Sequence, residues 1–117
     1  MAAGLSKEQI YRIIYNRLLR TQYELSVAGV ESTYKRRTLY HCPLRPGNAH
    51  FTISYSVSNL SNGETFGYPV ISLTDEAGNW EYYSDFSQTR KPYKDGIARI
   101  IELFAGKKTW DSTRAAR

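Results

Sequence analysis

The first regular pattern along the chain is an apolar stripe at helical spacing near the N-terminus. Its members recur at intervals of four and seven residues, with two tyrosines beside them: Ile10, Ile14, Leu18 and Leu25, then Tyr11 and Tyr15. The opposite side carries Arg12, Asn16, Arg20 and Tyr23. Ser6 followed by Gln9 fits a capping box, and Gly29 suits a helix end. The pattern predicts a helix over residues 7–27.

Strict alternation replaces helical spacing from residue 50 onward. One side of this segment is apolar and the other carries histidine and hydroxyl residues; the apolar row is Phe51, Ile53, Tyr55 and Val57. Asn62-Gly63 is the favoured two-residue hairpin turn. Placing the turn there predicts three cross-strand pairs, Val57 with Tyr68, Tyr55 with Val70 and Ile53 with Ser72. Phe66, Tyr68 and Val70 then share the face of the apolar row.

A second hairpin is predicted through residues 75–78, with a return strand from Trp80. If Thr74 opposes Asn79, Tyr83 joins the core face. The other face then carries an apolar cluster that we predict to be a partner interface: Ile71, Leu73, Trp80 and Tyr82. An exposed cluster of this kind is normally covered. We expect either the arm formed by residues 33–42 or a second copy of the chain, in a homodimer, to cover it.

The remaining segments complete an α+β fold. Residues 33–42 suit an edge strand or extended arm. A second helix is predicted from Tyr93 to Gly106, with its core positions at Ile97, Ile100, Ile101 and Phe104. Residues 1–5 form a flexible lead-in and residues 107–117 a basic tail. We therefore predict one domain over residues 1–117, a three- to four-stranded antiparallel meander with an N-terminal and a C-terminal helix packed on one face.

Charge divides sharply along the chain, whose net charge is +5. Residues 1–50 carry eight Lys or Arg and three Asp or Glu. Residues 51–89 carry no Lys or Arg and five Asp or Glu. Residues 90–117 again carry eight basic and three acidic residues. The meander is therefore acidic and its flanks are basic. The single cysteine excludes an internal disulfide, and no apolar run has membrane-spanning length. We expect a soluble protein of the cytoplasm, or of the nucleus in a eukaryote, without membrane contact.

The basic flanks are the strongest functional signal. Three clusters supply candidate nucleic-acid-binding residues: Arg12 and Arg20; Lys35, Arg36 and Arg37; Arg90, Lys91 and Lys94. The third cluster precedes the second helix, whose N-terminal amides favour an anion such as phosphate. Basic patches beside tyrosines are typical of nucleic-acid surfaces. Neutralisation of the acidic meander by its flanks is the structural alternative.

Catalytic and metal motifs are weak by comparison. His41, Cys42 and His50 lack a standard zinc-ligand spacing, and adjacent residues of an extended segment point apart, which argues against a His41–Cys42 nucleophile pair. No glycine-rich phosphate loop or serine-nucleophile motif occurs. We expect no enzyme activity, no cofactor and no metal.

These features favour a small non-catalytic protein that engages nucleic acid, or a nucleic-acid-handling complex, through its basic flanks. The alternative is a protein-binding inhibitor or adaptor of the kind carried by phages and mobile elements. In that case the acidic, aromatic hairpins would form the working surface, with four acidic residues in it: Asp75, Glu76, Glu81 and Asp85.

Overall fold

A computed structural model describes residues 4–28, 37–43, 47–86 and 91–106. Its elements, in chain order, are α1 (Lys7–Ala28), β1 (Arg37–Pro43), β2 (His50–Asn59), β3 (Thr65–Thr74), β4 (Trp80–Tyr83) and α2 (Tyr93–Phe104). The strands form one antiparallel sheet in the order β1-β2-β3-β4. The predicted α+β class and meander are confirmed. Neither helix of the described residues is long and apolar enough to cross a membrane.

Helix α1 begins at the predicted capping box. The Gln9 amide donates to Ser6 Oγ at 3.1 Å, and the Ser6 amide donates to Gln9 Oε1 at 2.8 Å. Two of the first-turn donors are thereby satisfied. The helix ends at Ala28, one residue beyond the predicted boundary; Gly29 lies outside the described residues.

Both helices pack on one face of the sheet, as predicted. The core joins α1, the sheet and α2, and its largest fully buried side chains are Ile10, Ile14, Phe51, Ile53, Ile71, Leu73, Ile100 and Phe104. The Phe51 and Phe104 rings meet edge to face, with centroids 5.7 Å apart. Arg17 helps to hold α1 against β1, because its guanidinium lies 4.6 Å from the centroid of the Tyr40 ring.

The first hairpin differs from the prediction in its turn. The Leu60 amide donates to the Glu64 carbonyl at 2.7 Å, so the loop has three residues, 61–63. Gly63 has a φ of +89°, whereas no non-glycine residue in the described part of the chain has positive φ. The two-residue turn needs positive φ at both central positions, so Asn62 cannot be forming it.

The extra loop residue shifts the register by one. Val57 opposes Gly67, Tyr55 opposes Pro69 and Ile53 opposes Ile71. The predicted pairs were therefore wrong, since a slip of one residue exchanges the two faces of a strand. The core face of β3 carries Ile71 and Leu73. The opposite face carries the three residues predicted for the core face, Phe66, Tyr68 and Val70.

The second hairpin repeats this arrangement. The Asp75 amide donates to the Asn79 carbonyl at 2.9 Å, and Gly78 has a φ of +90°. Thr74 consequently opposes Trp80 rather than Asn79. Tyr83 opposes Ile71, whereas the predicted register puts it opposite Val70; it nevertheless lies in the core, which confirms its predicted face.

The predicted partner interface is divided by these registers. Ile71 and Leu73 are fully buried in the core, whereas Trp80 is 61% exposed and Tyr82 is half-buried on the other face. Trp80 and Tyr82 remain together, with ring centroids 5.2 Å apart. The described part of the predicted arm does not cover them, because β1 lies in the plane of the sheet beside β2. Residues 33–36 lie outside the described residues.

Candidate binding groove

An aromatic groove runs between α1, β3 and the start of α2. Its volume is about 350 Å³. The α1 wall consists of Tyr11, Tyr15, Leu18, Leu19 and Gln22, and the facing wall consists of Pro69, Asp85, Phe86, Tyr93, Lys94 and Ile97. We refer to these residues together as the tyrosine groove. Its lining is mostly apolar, with polar groups from Gln22, Asp85 and Lys94, which is typical of a ligand site.

Two tyrosines dominate the α1 wall. Tyr11 and Tyr15 are 50% and 46% exposed, and their rings stack with centroids 5.8 Å apart and an interplanar angle of 14°. They are one helical turn apart, so their side chains lie one above the other. The core stripe of Ile10 and Ile14 is the neighbouring row, about 100° around the helix. This offset leaves both rings at the rim of the core, with aromatic faces available to a ligand.

The facing wall is also aromatic. Phe86 is 50% exposed, and its ring lies 5.4 Å from those of both Phe66 and Tyr68. The Tyr93 hydroxyl donates to the Pro69 carbonyl, which ties α2 to β3. Burial is the main cause that raises the pKa of Tyr93, so this phenol remains protonated and keeps donating.

The first amide of α2 already has a partner within the chain. The Tyr93 amide donates to Asp85 Oδ1 at 2.9 Å. The carboxylate of Asp85 therefore uses one of the N-terminal amides at which the sequence predicted an external phosphate. Lys94 remains exposed on the groove wall and Lys91 is exposed just before the helix, 5.9 Å from the centroid of the Tyr83 ring.

Of the predicted basic residues, Lys94 belongs to the groove lining, on the wall that faces α1. Arg12 and Arg20 are exposed on α1; Arg12 follows Tyr11 directly, whereas Arg20 lies on the side of the helix away from the tyrosines. Arg20 also pairs with Glu24, Nε to Oε2 at 3.3 Å. Of the other candidates, Lys35, Arg36 and Arg90 lie outside the described residues. Arg37 begins β1, at the sheet edge, and nothing is described of its side chain.

Two of the four predicted acidic residues, Asp75 and Glu81, form ion pairs within the fold. Arg99, on α2, reaches Asp75 Oδ2 at 3.7 Å, Glu81 Oε2 at 3.4 Å and Glu102 Oε1 at 3.0 Å. Sequence reasoning did not single out Arg99, because its role depends on how α2 crosses β4. Asp75 also accepts the Ala77 and Asn79 amides, so it shapes the hairpin turn. Glu76 stays exposed.

Hydrogen bonds lower the pKa values of two of these carboxyls. The Asn79 amide is the main cause for Asp75, and the Tyr83 hydroxyl is the main cause for Glu81, with Arg99 contributing to both. The folded state therefore favours the ionised carboxylates. Their stabilising contribution is complete above a pH of about 4.5 and is lost as the pH falls through the lowered values.

Removing the Arg99 guanidinium is expected to lower stability in a pH-dependent way. We expect Arg99→Gln to lower the Tm by roughly 2–6 °C at pH 7, because three partly exposed ion pairs are lost. The difference from the parent protein should shrink as the pH falls toward 3, because the carboxyls take up protons as the pH passes through their lowered pKa values. Thermal melts of both proteins across this range measure it. Arg20→Gln removes an exposed pair and serves as the control; a Tm difference for Arg99→Gln that is independent of pH would contradict the ion-pair role.

The two histidines come together, and the cysteine does not join them. The His41 and His50 rings have centroids 5.3 Å apart. Cys42 is fully buried in the core, on the opposite side of β1. Burial, and then the charge of His50, lower the pKa of His41. Within the described part of the chain, no group of three or more His, Cys, Asp or Glu side chains is placed to hold a metal ion.

Comparison with known proteins yields no relative: no protein-family profile, curated protein or solved structure matches this chain.

Proposed function

We propose that this non-catalytic protein binds single-stranded nucleic acid in the tyrosine groove. The observation that carries the proposal is the exposed Tyr11–Tyr15 stack, which lines a groove with Lys94 on the facing wall. Proteins that bind single strands combine aromatic faces for the bases with positive charge along the phosphate path. Here Tyr11 and Tyr15 supply the faces, Lys94 supplies positive charge on the facing wall, and the exposed Arg12 supplies it next to Tyr11 on α1.

The placement of the acidic residues is compatible with a nucleic-acid strand in the groove. The ion-paired Asp75 and Glu81 belong to the hairpin that joins β3 and β4, and neither belongs to the groove. Asp85 is the one carboxylate among the groove residues. Because Asp85 repels phosphate, the backbone of a bound strand should follow the Arg12 side of the tyrosines, with the bases directed toward Phe86.

Replacing the tyrosines is expected to weaken binding strongly. A single Tyr11→Ala or Tyr15→Ala should lower affinity for a fluorescent single-stranded oligonucleotide about 5- to 100-fold, since one base-stacking contact contributes about 1–3 kcal/mol. Lys94→Gln should weaken binding less, and it should reduce the slope of log affinity against log salt by about 1. Fluorescence anisotropy at several salt concentrations measures both effects.

A matched aromatic control separates this function from the alternative. Trp80→Ala removes an exposed aromatic ring outside the groove, and Glu76→Lys reverses an exposed acidic charge on the adjacent loop. Neither change should lower oligonucleotide affinity. Absence of binding by the parent protein at low salt would overturn the proposal.

A protein partner at the β3–β4 hairpin is the second candidate function. The observation that favours it is the pair of Trp80 and Tyr82, which keeps an aromatic surface open beside the exposed Glu76. An inhibitor or adaptor acting there would lose its partner on Trp80→Ala and keep it on Tyr11→Ala. The two candidate functions therefore predict opposite outcomes for the same pair of variants.

A further inference from the structure

His41 and His50 form a pair of neighbouring imidazoles on the sheet, and the proposed nucleic-acid binding does not involve them. Its two residues lie on neighbouring antiparallel strands in adjacent rows, since His41 opposes Thr52 and His50 opposes Pro43. Cys42 and Phe51, next to them in the chain, point into the core. Alternation along each strand therefore places both imidazoles on the face of the sheet away from the helices.

We propose that His41 and His50 together bind one divalent transition-metal ion of the zinc, nickel or copper class. A nitrogen ligand lies about 2.0–2.1 Å from zinc, so each ring centroid lies roughly 3 Å from the ion and two tetrahedral ligands have centroids about 5 Å apart. The observed separation of 5.3 Å matches this spacing. An ion can thus bridge the rings with little movement of the strands.

A hydrogen bond behind one ring supports the assignment independently. His50 Nδ1 lies 2.9 Å from the Asn48 carbonyl oxygen. A carbonyl only accepts, so Nδ1 carries the proton and Nε2 keeps the lone pair that binds a metal. Metal-ligating histidines commonly donate their second nitrogen to a carbonyl in this way, which fixes both the tautomer and the ring orientation.

The donor set selects the class of ion. Neutral imidazole suits zinc, copper and nickel, whereas magnesium and calcium require oxygen ligands. Cys42 cannot supply a thiolate to this site because it is buried on the opposite side of β1. With two protein ligands, water fills the other coordination positions, so the site is an open surface site rather than a closed structural one.

Titration of the full chain with nickel or copper tests the proposal cleanly, because these are its only two histidines. Calorimetry should give one ion per chain. His41→Asn and His50→Asn should each lower the affinity at least about tenfold, since the second ligand acts at high effective concentration once the first has bound. With copper, electron spin-echo spectroscopy should show two imidazole ligands in the parent protein and one in either variant.

Three outcomes would overturn the shared site. Two ions per chain, with the stoichiometry halved in each variant, would show that the histidines bind independently. Unchanged affinity in both variants would place the ion elsewhere. Loss of binding in Cys42→Ala, with the fold intact by circular dichroism, would assign the ion to the thiol.

Discussion

Gly96→Ala is expected to destabilise the protein by about 1–3 kcal/mol, although alanine is the better helix former. A Cβ atom at Gly96 would lie 2.7 Å from Tyr83 Cγ and 3.0 Å from Tyr83 Cβ. The ring has little freedom to retreat, because Tyr83 is buried in the core and its hydroxyl donates to Glu81. The missing side chain at Gly96 is therefore what lets α2 approach β4 this closely.

Urea unfolding of four proteins measures this effect. Helix propensity alone would make Gly96→Ala up to about 1 kcal/mol more stable, so the sign of the change distinguishes the two explanations. Tyr83→Ala removes Cγ, the atom nearest to the new methyl group, and the double variant should lose less stability than the sum of the single changes. A parent-like or higher stability for Gly96→Ala would contradict the close packing.

Helices were the predictable part of this fold. The α1 boundaries differ from the prediction by one residue, and α2 contains the predicted core positions. Both signals are local, because an apolar stripe at helical spacing identifies the buried face without reference to the partner it packs on. The four-stranded order followed as well, since short loops join consecutive strands as hairpins.

The strand registers were not predictable from the same reasoning. Asn62-Gly63 fits the two-residue turn, but it also fits a three-residue loop in which only Gly63 needs positive φ. The apolar pattern could not decide between them, because β3 is apolar on both faces: Ile71 and Leu73 on one, Tyr68 and Val70 on the other. If β3 had polar residues on one face, the shifted register would have placed them in the core, and the sequence pattern would have excluded it.

The groove escaped prediction for a related reason. Sequence clusters of positive charge were visible, but the groove forms only where α1, β3 and α2 meet, and no local pattern specifies that meeting. Tyr11 and Tyr15 were interpreted as flanks of the core stripe, and their half-exposed position depends on where the neighbouring elements end. The role of Asp85 was equally unpredictable, because it accepts a hydrogen bond from the Tyr93 amide, eight residues further along the chain.

Ile71→Ala is expected to be the more damaging of two substitutions that the sequence placed on the same surface. Ile71 is fully buried between the sheet and both helices, so truncation should cost about 2–5 kcal/mol through lost burial and the cavity that remains. Trp80→Ala removes a larger side chain but one that is 61% exposed, and it should change stability by less than about 1 kcal/mol.

The contrast between these two variants tests the register itself. In the sequence-derived register both residues lie on the outer face, so the loss of the larger Trp80 side chain should cost at least as much as the loss at Ile71. In the observed register the order is reversed, because the three-residue loop turns Ile71 into the core. Denaturant midpoints at a constant m-value give the order directly. Equal losses, or a larger loss for Trp80→Ala, would mean that the first hairpin pairs one residue out of the observed register.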